Sequence, residues 1–193
     1  MAETAEPQLR LRPFRGEDAP HLERLLGHPR LARRTLPTGV QELHPLAWTA
    51  HRRTFVVYLD RLLIGACELL RDEDDEAAWE LSVVLDRRER VGDGARCAAA
   101  ILFYAFEIMK AESVWFWVPT GNTAVERFAE RLHFTSLHQV RLPSGLPADV
   151  FELSDGRWRS HGQDAVAGLL QVPVELCDGR HRWSTRGGWF EAA

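Results

Sequence analysis

The sequence predicts an α/β (α+β) fold in which one sheet is flanked by helices, with a main domain over residues 1–155 and an appendage over residues 156–193. Two observations support this prediction. Two apolar runs separated by the turn residues Asp60 and Arg61 are typical of a β-hairpin. A third apolar run is followed by a Gly-x-Gly loop and then by a long segment with helical spacing. Strands and helices therefore alternate through the centre of the chain.

The first half of the chain contains four predicted strands. Leu9 and Leu11 alternate with arginines and predict a first strand, and short helices follow it around Leu22 and Leu31. Residues 54–59 and 62–70 form the predicted hairpin, and residues 79–85 form the next strand. The acidic run 71–76 between them is interpreted as a solvated turn. The alternative is an acidic lip that attracts a cationic substrate.

The second half begins with a helix from Ala95, followed by a strand over residues 113–118 and a helix over residues 125–132. Two closing strands, residues 134–140 and 149–153, are separated by turn residues. The pattern then loosens, and AGLLQVPVEL fits a short helix as well as a strand. The remaining segment is treated as an appendage that contains tryptophans.

Charge and hydropathy exclude several classes of protein. The formal net charge is −4 and no block of basic residues is present, so a nucleic-acid-binding surface is not expected. Neither a signal peptide nor a long apolar span is visible, so we expect a cytoplasmic protein that makes no membrane contact. Lys110 is the only lysine, and this bias toward arginine is typical of a GC-rich bacterial genome.

The three cysteines are far apart in the sequence. Cys67, Cys97 and Cys177 fit neither a disulfide framework nor the ligand spacing of a zinc site. We therefore expect reduced thiols and no bound metal.

The loop around Gly92 and Gly94 is the strongest candidate for a ligand site. Glycines allow a ligand to approach the main chain, and the first N–H groups of a helix are unpaired donors at its positive end, which suits a phosphate. A dinucleotide site would need a third glycine where Cys97 stands, and a P-loop would need Gly-Lys-Ser/Thr. A loop of the coenzyme A type remains.

Three ordered segments of the chain resemble the Gcn5-related N-acetyltransferase (GNAT) superfamily, particularly its RimJ/RimL-type branch. The loop ERVGDG, residues 89–94, is similar to the acetyl-coenzyme A motif of the family, with Glu89 where Gln or Arg is usual. The segment NTAVERFAERLHF, residues 122–134, is similar to a second signature, and LRLRPFRGEDAPHLERLL, residues 9–26, is similar to the first strand and helix. The resemblance implies a twisted, mixed and mostly antiparallel sheet flanked by helices, with acetyl-coenzyme A (acetyl-CoA) as co-substrate.

The resemblance also implies which residues contact acetyl-CoA. A main-chain N–H on the strand over residues 79–85 would polarise the thioester carbonyl, and Asn122 would bond the coenzyme or the substrate, although Asn is also a favoured helix N-cap. The implied coenzyme-binding residues are Val83, Val84, Leu85, Arg90, Val91, Gly92, Asp93, Gly94, Ala95 and Asn122. Glu89 and Asp93 bring negative charge toward a diphosphate, and Arg90 and Arg96 offset part of it.

Glu80 and Asn122 are the residues that the resemblance marks for catalysis. Glu80 is the candidate general base, because the family often places a carboxylate on this strand and apolar neighbours raise the pKa of a carboxyl. A solvent-facing structural glutamate is the alternative, and Glu68 is the second candidate. Relatives often carry a Ser or a Tyr as general acid where this chain has Val125 and Ala129, so the acid stays unassigned among Thr123, Ser136, His133 and water.

Two functional hypotheses follow. The first is an acyl-CoA-dependent N-acetyltransferase that acts on a primary amine, either a protein N-terminus or a small amine. The second is a catalytically degenerate GNAT-fold module that binds a ligand or a partner protein, with Trp158, Trp183 and Trp189 as a contact surface. The sequence leaves a homodimer open.

Overall fold

A computed structural model describes residues 8–26, 49–86, 92–142, 144–170, 173–186 and 189–192. Within these residues the strands form one ten-stranded sheet, in the order β10-β9-β8-β1-β2-β3-β4-β5-β7-β6. The strands are β1 (Leu9–Pro13), β2 (Arg52–Leu59), β3 (Leu62–Arg71), β4 (Ala78–Leu85), β5 (Ser113–Pro119), β6 (Thr135–Arg141), β7 (Pro147–Ser154), β8 (Val174–Cys177), β9 (Arg182–Arg186) and β10 (Trp189–Ala192).

The sheet is mixed and mostly antiparallel. Only β1–β8 and β4–β5 pair in parallel among the described strands. The predicted hairpin is confirmed as β2 and β3, and the acidic run 71–76 lies at the turn from β3 to β4, where main-chain N–H groups donate to the carboxylates of Asp72 and Asp75. The predicted α/β fold with a largely antiparallel sheet flanked by helices is therefore confirmed.

Helices lie on both faces of the sheet. The predicted helix after the glycine loop is confirmed as α2, which continues as a π-helical turn at Tyr104–Ile108. The helical elements are α1 (Ala19–Leu26), α2 (Asp93–Phe103), α3 (Thr123–Arg131), α4 (Asp155–Arg157) and α5 (Gln163–Ala167), with a π-helical turn at Trp158–Gly162 between the last two. The helix predicted around Leu31 lies outside the described residues.

Two cores of unequal size pack against the two faces. Residues 97–106 of α2 and its π-helical turn are buried without interruption, so this helix forms the centre of the larger core. Phe55 and Val57 of β2 contribute to that core, whereas Val56 points to the smaller core beside Leu22 of α1. This division follows from the alternation of side chains along a strand. Each fully buried aliphatic side chain contributes roughly 2 kcal/mol to stability.

The segment after residue 155 is built onto the same sheet. Trp158 is fully buried, its ring stacks on Phe106, and its indole N–H donates to Glu107 Oε1 at 2.6 Å. Strand β8 pairs with β1 in parallel and is followed by the hairpin β9–β10. The proposed boundary at residue 155 stays a prediction, and independent folding of either part is what would establish it.

Candidate active site

Strands β4 and β5 separate partway along their length. The two strands are described in full, and they pair only from Ala78 and Ser113 to Glu80 and Trp115. Beyond that point β4 stays paired with β3 as far as Leu85, and β5 stays paired with β7 as far as Pro119. The centre of the sheet therefore contains an opening, bounded by residues 81–85 on one side and 116–119 on the other.

Gly65 keeps the far end of β4 against β3. A Cβ atom added at Gly65 would lie 2.1 Å from the carbonyl oxygen of Val84 and 2.9 Å from the Cα atom of Leu85. Only a glycine permits this approach, because both atoms belong to the main chain. The end of β4 is therefore closely packed on β3 where its pairing with β5 has already stopped.

Glu80 lies at the last paired position before the opening. Its Oε1 atom accepts a hydrogen bond from the indole Nε1 of Trp117 at 3.0 Å. Burial raises the pKa of the Glu80 carboxyl, the bond from Trp117 lowers it in part, and the charges of Glu68 and Asp72 raise it further. A carboxylate with a raised pKa beside an opening in a sheet suits a general base.

Glu68, the second candidate base, is engaged in structural contacts. It is buried, and its Oε2 atom accepts a hydrogen bond from the Thr54 hydroxyl at 2.6 Å. The same oxygen lies 3.6 Å from Nε of Arg52, whose charge offsets that of the carboxylate. Glu68 and Glu80 share one face of the sheet, because Glu68 pairs with Ser82, two residues from Glu80 on β4. Of the two, Glu80 has the surroundings of a base.

The predicted thioester-binding residues line the opening on the β4 side. Val84 and Leu85 are buried and Val83 is partly buried, so their side chains serve packing and only their main chain would contact a ligand. That a main-chain N–H group of these residues polarises the thioester carbonyl stays a prediction.

The glycine loop ends where α2 begins. Glu89, Arg90 and Val91 lie outside the described residues. Gly92 has φ +94°, which is in the left-handed region that favours glycine. A Cβ atom added at Gly94 would lie 4.0 Å from Leu85, so the start of α2 lies beside the end of β4. The N–H groups at this start, including those of Gly94 and Ala95, have no acceptor within the helix.

Asp93 and Arg96 form an ion pair at the same helix start. The carboxylate of Asp93 is fully buried, and its Oδ1 atom lies 2.9 Å from Nη1 of Arg96. The pair offsets the negative charge that Asp93 brings to the loop. Nε of Arg96 is buried and has no hydrogen-bond partner in the described part of the chain. A free buried donor beside helix N–H groups fits an anionic ligand such as a diphosphate.

Asn122 is placed as an N-cap. Its side chain accepts a hydrogen bond from the main-chain N–H of Val125 at the start of α3, at 3.5 Å. Asn122 is exposed, so a contact with a ligand would be compatible with this role. The predicted contact with the coenzyme or substrate stays a prediction.

The general acid remains unassigned. Ala129 is fully buried in the core and Val125 has no proton to give, which agrees with the departure seen in the sequence. Tyr58 is bonded to the ion pair of Arg12 and Asp18. Burial and the charge of Asp178 raise the pKa of Tyr104, despite opposing effects of Arg53.

Among the described residues, no group of three or more His, Cys, Asp or Glu side chains is arranged to hold a metal ion. None of the helices in those residues is long and apolar enough to cross a membrane.

Sequence reasoning missed Trp117 as a functional candidate. Trp117 belongs to β5 and bonds Glu80 of β4 from the same face of the sheet. The sequence held only part of this signal, because residues two apart on a strand share a face and so place Trp115 and Trp117 together; the burial of Val114 and Phe116 shows which face that is.

Three comparisons place the chain among known proteins. Residues 8–135 match the acetyltransferase (GNAT) domain family, and no curated protein sequence matches. Spermidine N-acetyltransferase from Vibrio cholerae, solved with CoA and spermine, is 18% identical with a TM-score of 0.67, over 79% of this chain and 98% of that chain. Aminoglycoside acetyltransferase AAC(6')-Ib, solved with CoA and kanamycin, is 16% identical with a TM-score of 0.66, over 79% and 98% of the two chains.

The solved structures share the fold, and the family match extends from the first strand through the opening and the glycine loop to α3. The family model covers about two thirds of the chain, including Glu80, Asn122 and the loop around Gly92 and Gly94. This chain belongs to the GNAT acetyltransferase family.

Proposed function

We propose that the protein transfers an acetyl group from acetyl-CoA to a primary amine. The opening between β4 and β5, with Glu80 at its closed end and the start of α2 beside it, is the observation on which the proposal depends. Acetyl-CoA, when bound, supplies the activated acetyl group. Gly92, Gly94, Ala95 and Arg96 would hold its diphosphate, and the main chain of residues 83–85 would contact its thioester.

Glu80 is the proposed general base. An ammonium group must lose a proton before its nitrogen can attack a carbonyl carbon, and a partly buried carboxylate with a raised pKa is suited to accept it. A positioned base contributes about 100-fold to 10,000-fold to the rate. Asn122 and the unassigned acid complete the proposed set, with water as the simplest donor to the departing thiolate.

A small cationic amine is the acceptor that we favour over a protein N-terminus. Glu80 and Asp72 place two carboxylates near the closed end of the opening, which favours a positively charged substrate. The similar structures were solved with spermine and with kanamycin, both amines. Membership of the RimJ/RimL-type branch, whose resemblance suggests a protein N-terminus, is the competing proposal.

Calorimetry with acetyl-CoA, followed by a free-thiol release assay over polyamines, aminoglycosides and N-terminal peptides, tests the proposed function. We expect binding, and thiol release that depends on an amine. Gly92→Val should abolish binding, because a β-branched residue is strained at φ +94° and would crowd the ligand. Gly179→Val is the matched control, since Gly179 has φ +90° in the turn between β8 and β9.

Wild-type protein that binds no acetyl-CoA would favour the alternative, a degenerate module for another ligand or a partner protein. That alternative draws on the missing proton donors at Val125 and Ala129. A similar spermidine N-acetyltransferase forms a dodecamer, so sedimentation should accompany these assays and would test the homodimer that the sequence leaves open.

A further inference from the structure

A side-chain hydrogen bond crosses the point where β4 and β5 separate. Glu80 and Trp115 are the last paired residues of the two strands. Trp117 lies two residues further along β5 and on the same face, and its Nε1 reaches back to Oε1 of Glu80 at 3.0 Å. At the closed end of the opening, a hydrogen bond between the candidate base and an indole ring therefore links the two strands.

The chemical nature of the donor makes this contact distinctive. An indole N–H is neutral and can only donate, so it fixes the orientation of a carboxylate without cancelling its charge. Glu68, by contrast, lies beside the cation of Arg52. The second oxygen of Glu80, Oε2, has no hydrogen-bond partner in the described residues and is not among their fully buried atoms. One oxygen is held while the other remains able to accept a proton.

We infer that Trp117 is a positioning residue for the proposed reaction, holding Oε1 of Glu80 so that Oε2 takes the proton of the acceptor ammonium. In this step the N–H bond of the ammonium breaks, its electron pair stays on nitrogen, and the proton becomes bonded to Oε2. The inference rests on the proposed function of Glu80 as a base. Trp117 itself gives up no proton and acts only through Glu80.

The charged groups near Glu80 set the direction of the expected pH effect. Glu68 on β3 and Asp72 after β3 favour the protonated form of Glu80, and Arg52 on β2 offsets Glu68. Glu152 on β7 lies on the same face, because it pairs with Trp115. The bond from Trp117 opposes the carboxylates, since it stabilises the ionised form of Glu80. Its loss should therefore raise the pKa of Glu80.

The first test is the pH dependence of kcat/KM in Trp117→Phe. A base must be ionised to act, so activity falls as the pH drops through the pKa of Glu80. Loss of one hydrogen bond to a charged group should move this acidic limb upward by about one pH unit. Trp115→Phe is the matched control, because Trp115 is on the same strand and face and its indole makes no hydrogen bond to the Glu80 carboxylate in the described residues. The acidic limb of this variant should stay in place. If Trp117→Phe folds and the acidic limb of its kcat/KM profile stays in place, the inference is overturned.

The second test needs no turnover and uses the wild-type protein. The indole N–H resonance of Trp117, assigned through its correlations to the Trp117 backbone in isotope-labelled wild-type protein, should shift with pH at the pKa of Glu80, measured by carboxyl ¹³C NMR. Glu80→Gln should remove that shift. An indole resonance that ignores the titration of Glu80 would overturn the inference even if Trp117→Phe fails to fold.

The two tests also separate this inference from the proposed function. If the indole resonance follows Glu80 while Glu80→Gln keeps full activity, the contact exists but Glu80 is not the base, and both the proposed base and the positioning role fail. If Glu80→Gln is inactive and the pH profile of Trp117→Phe is unchanged, the proposal that Glu80 is the base is supported and only the role of Trp117 fails.

Discussion

The two margins of β4 differ in how they are held. Toward β3 the strand is paired from Trp79 to its last residue, Leu85, and Gly65 brings the main chains unusually close. Toward β5 the pairing stops at Glu80. A strand that is secured on one margin can remain rigid while the other margin is left open for a ligand. Pairing with β3 therefore stabilises the site on the margin of β4 that does not face the opening.

The same contrast distinguishes the two glutamates that share a face of the sheet. Glu68 is buried, with a hydroxyl and a guanidinium beside the same carboxylate oxygen. Glu80 has a neutral donor on one oxygen, and burial raises its pKa. The ion pair with Arg52 suits Glu68 to a structural role, whereas the raised pKa of Glu80 and the absence of a cationic partner in the described part of the chain suit Glu80 to accept a proton.

Exchanging each glutamate for glutamine gives the largest expected effect and tests this comparison directly. Glu80→Gln should lower kcat by about 100-fold to 10,000-fold, because the proton acceptor is lost. Its affinity for acetyl-CoA, measured by calorimetry, should stay near that of the wild type. Glu68→Gln should instead lower the free energy of unfolding by about 2 kcal/mol, because Arg52 loses a charged partner.

The opposite pattern would reverse the assignment. If Glu68→Gln is inactive but folded, and Glu80→Gln remains active, Glu68 is the base despite its partners. Urea unfolding of both variants separates loss of structure from loss of chemistry.

The next largest effect is expected at Gly65, where β3 and β4 approach closely on the closed margin. Gly65→Ala would place a Cβ atom 2.1 Å from the main-chain oxygen of Val84, so one strand must shift. We expect the free energy of unfolding to fall by about 1–3 kcal/mol, as for other overpacked sites. Gly16→Ala is the control, because nothing lies within 4 Å of a Cβ atom there. Equal unfolding midpoints for the two variants would show that Gly65 is not needed to hold β4.

Local sequence patterns predicted the closed margin of β4, which pairs with β3, well. They predicted the open margin, where β4 separates from β5, poorly. The β2–β3 hairpin and β4 follow from apolar runs and turn residues that are adjacent in sequence, whereas Glu80 was marked by the family resemblance, with its apolar neighbours as support. The contact with Trp117 depends on where two strands from distant parts of the chain diverge. No local pattern specifies that point, although the alternation around Trp117 gives the correct face.

The pairing of β8 with β1 shows the same limit. Val174-Glu175-Leu176 lies beside Leu9-Arg10-Leu11, so that aliphatic residues are buried together and Arg10 lies 3.1 Å from Glu175. Each three-residue segment on its own is compatible with a strand. Only the complementary side chains of the two segments explain why they pair. Asn122 is a different case, because the favoured N-cap role was predicted from residue type and is observed, while a ligand contact needs the ligand.

The smallest expected effect concerns the hydroxyl that bonds Glu68. Thr54→Val keeps the shape of a fully buried side chain but removes the 2.6 Å hydrogen bond to Oε2. The free energy of unfolding should fall by about 1–3 kcal/mol, near the lower value because Arg52 remains beside the carboxylate. Thr135→Val on the edge strand β6 is the control. If the acidic limb of kcat/KM moves in Thr54→Val while stability does not, the surroundings of Glu68 govern the proton affinity of Glu80, and the two margins of β4 are coupled through charge rather than separate in role.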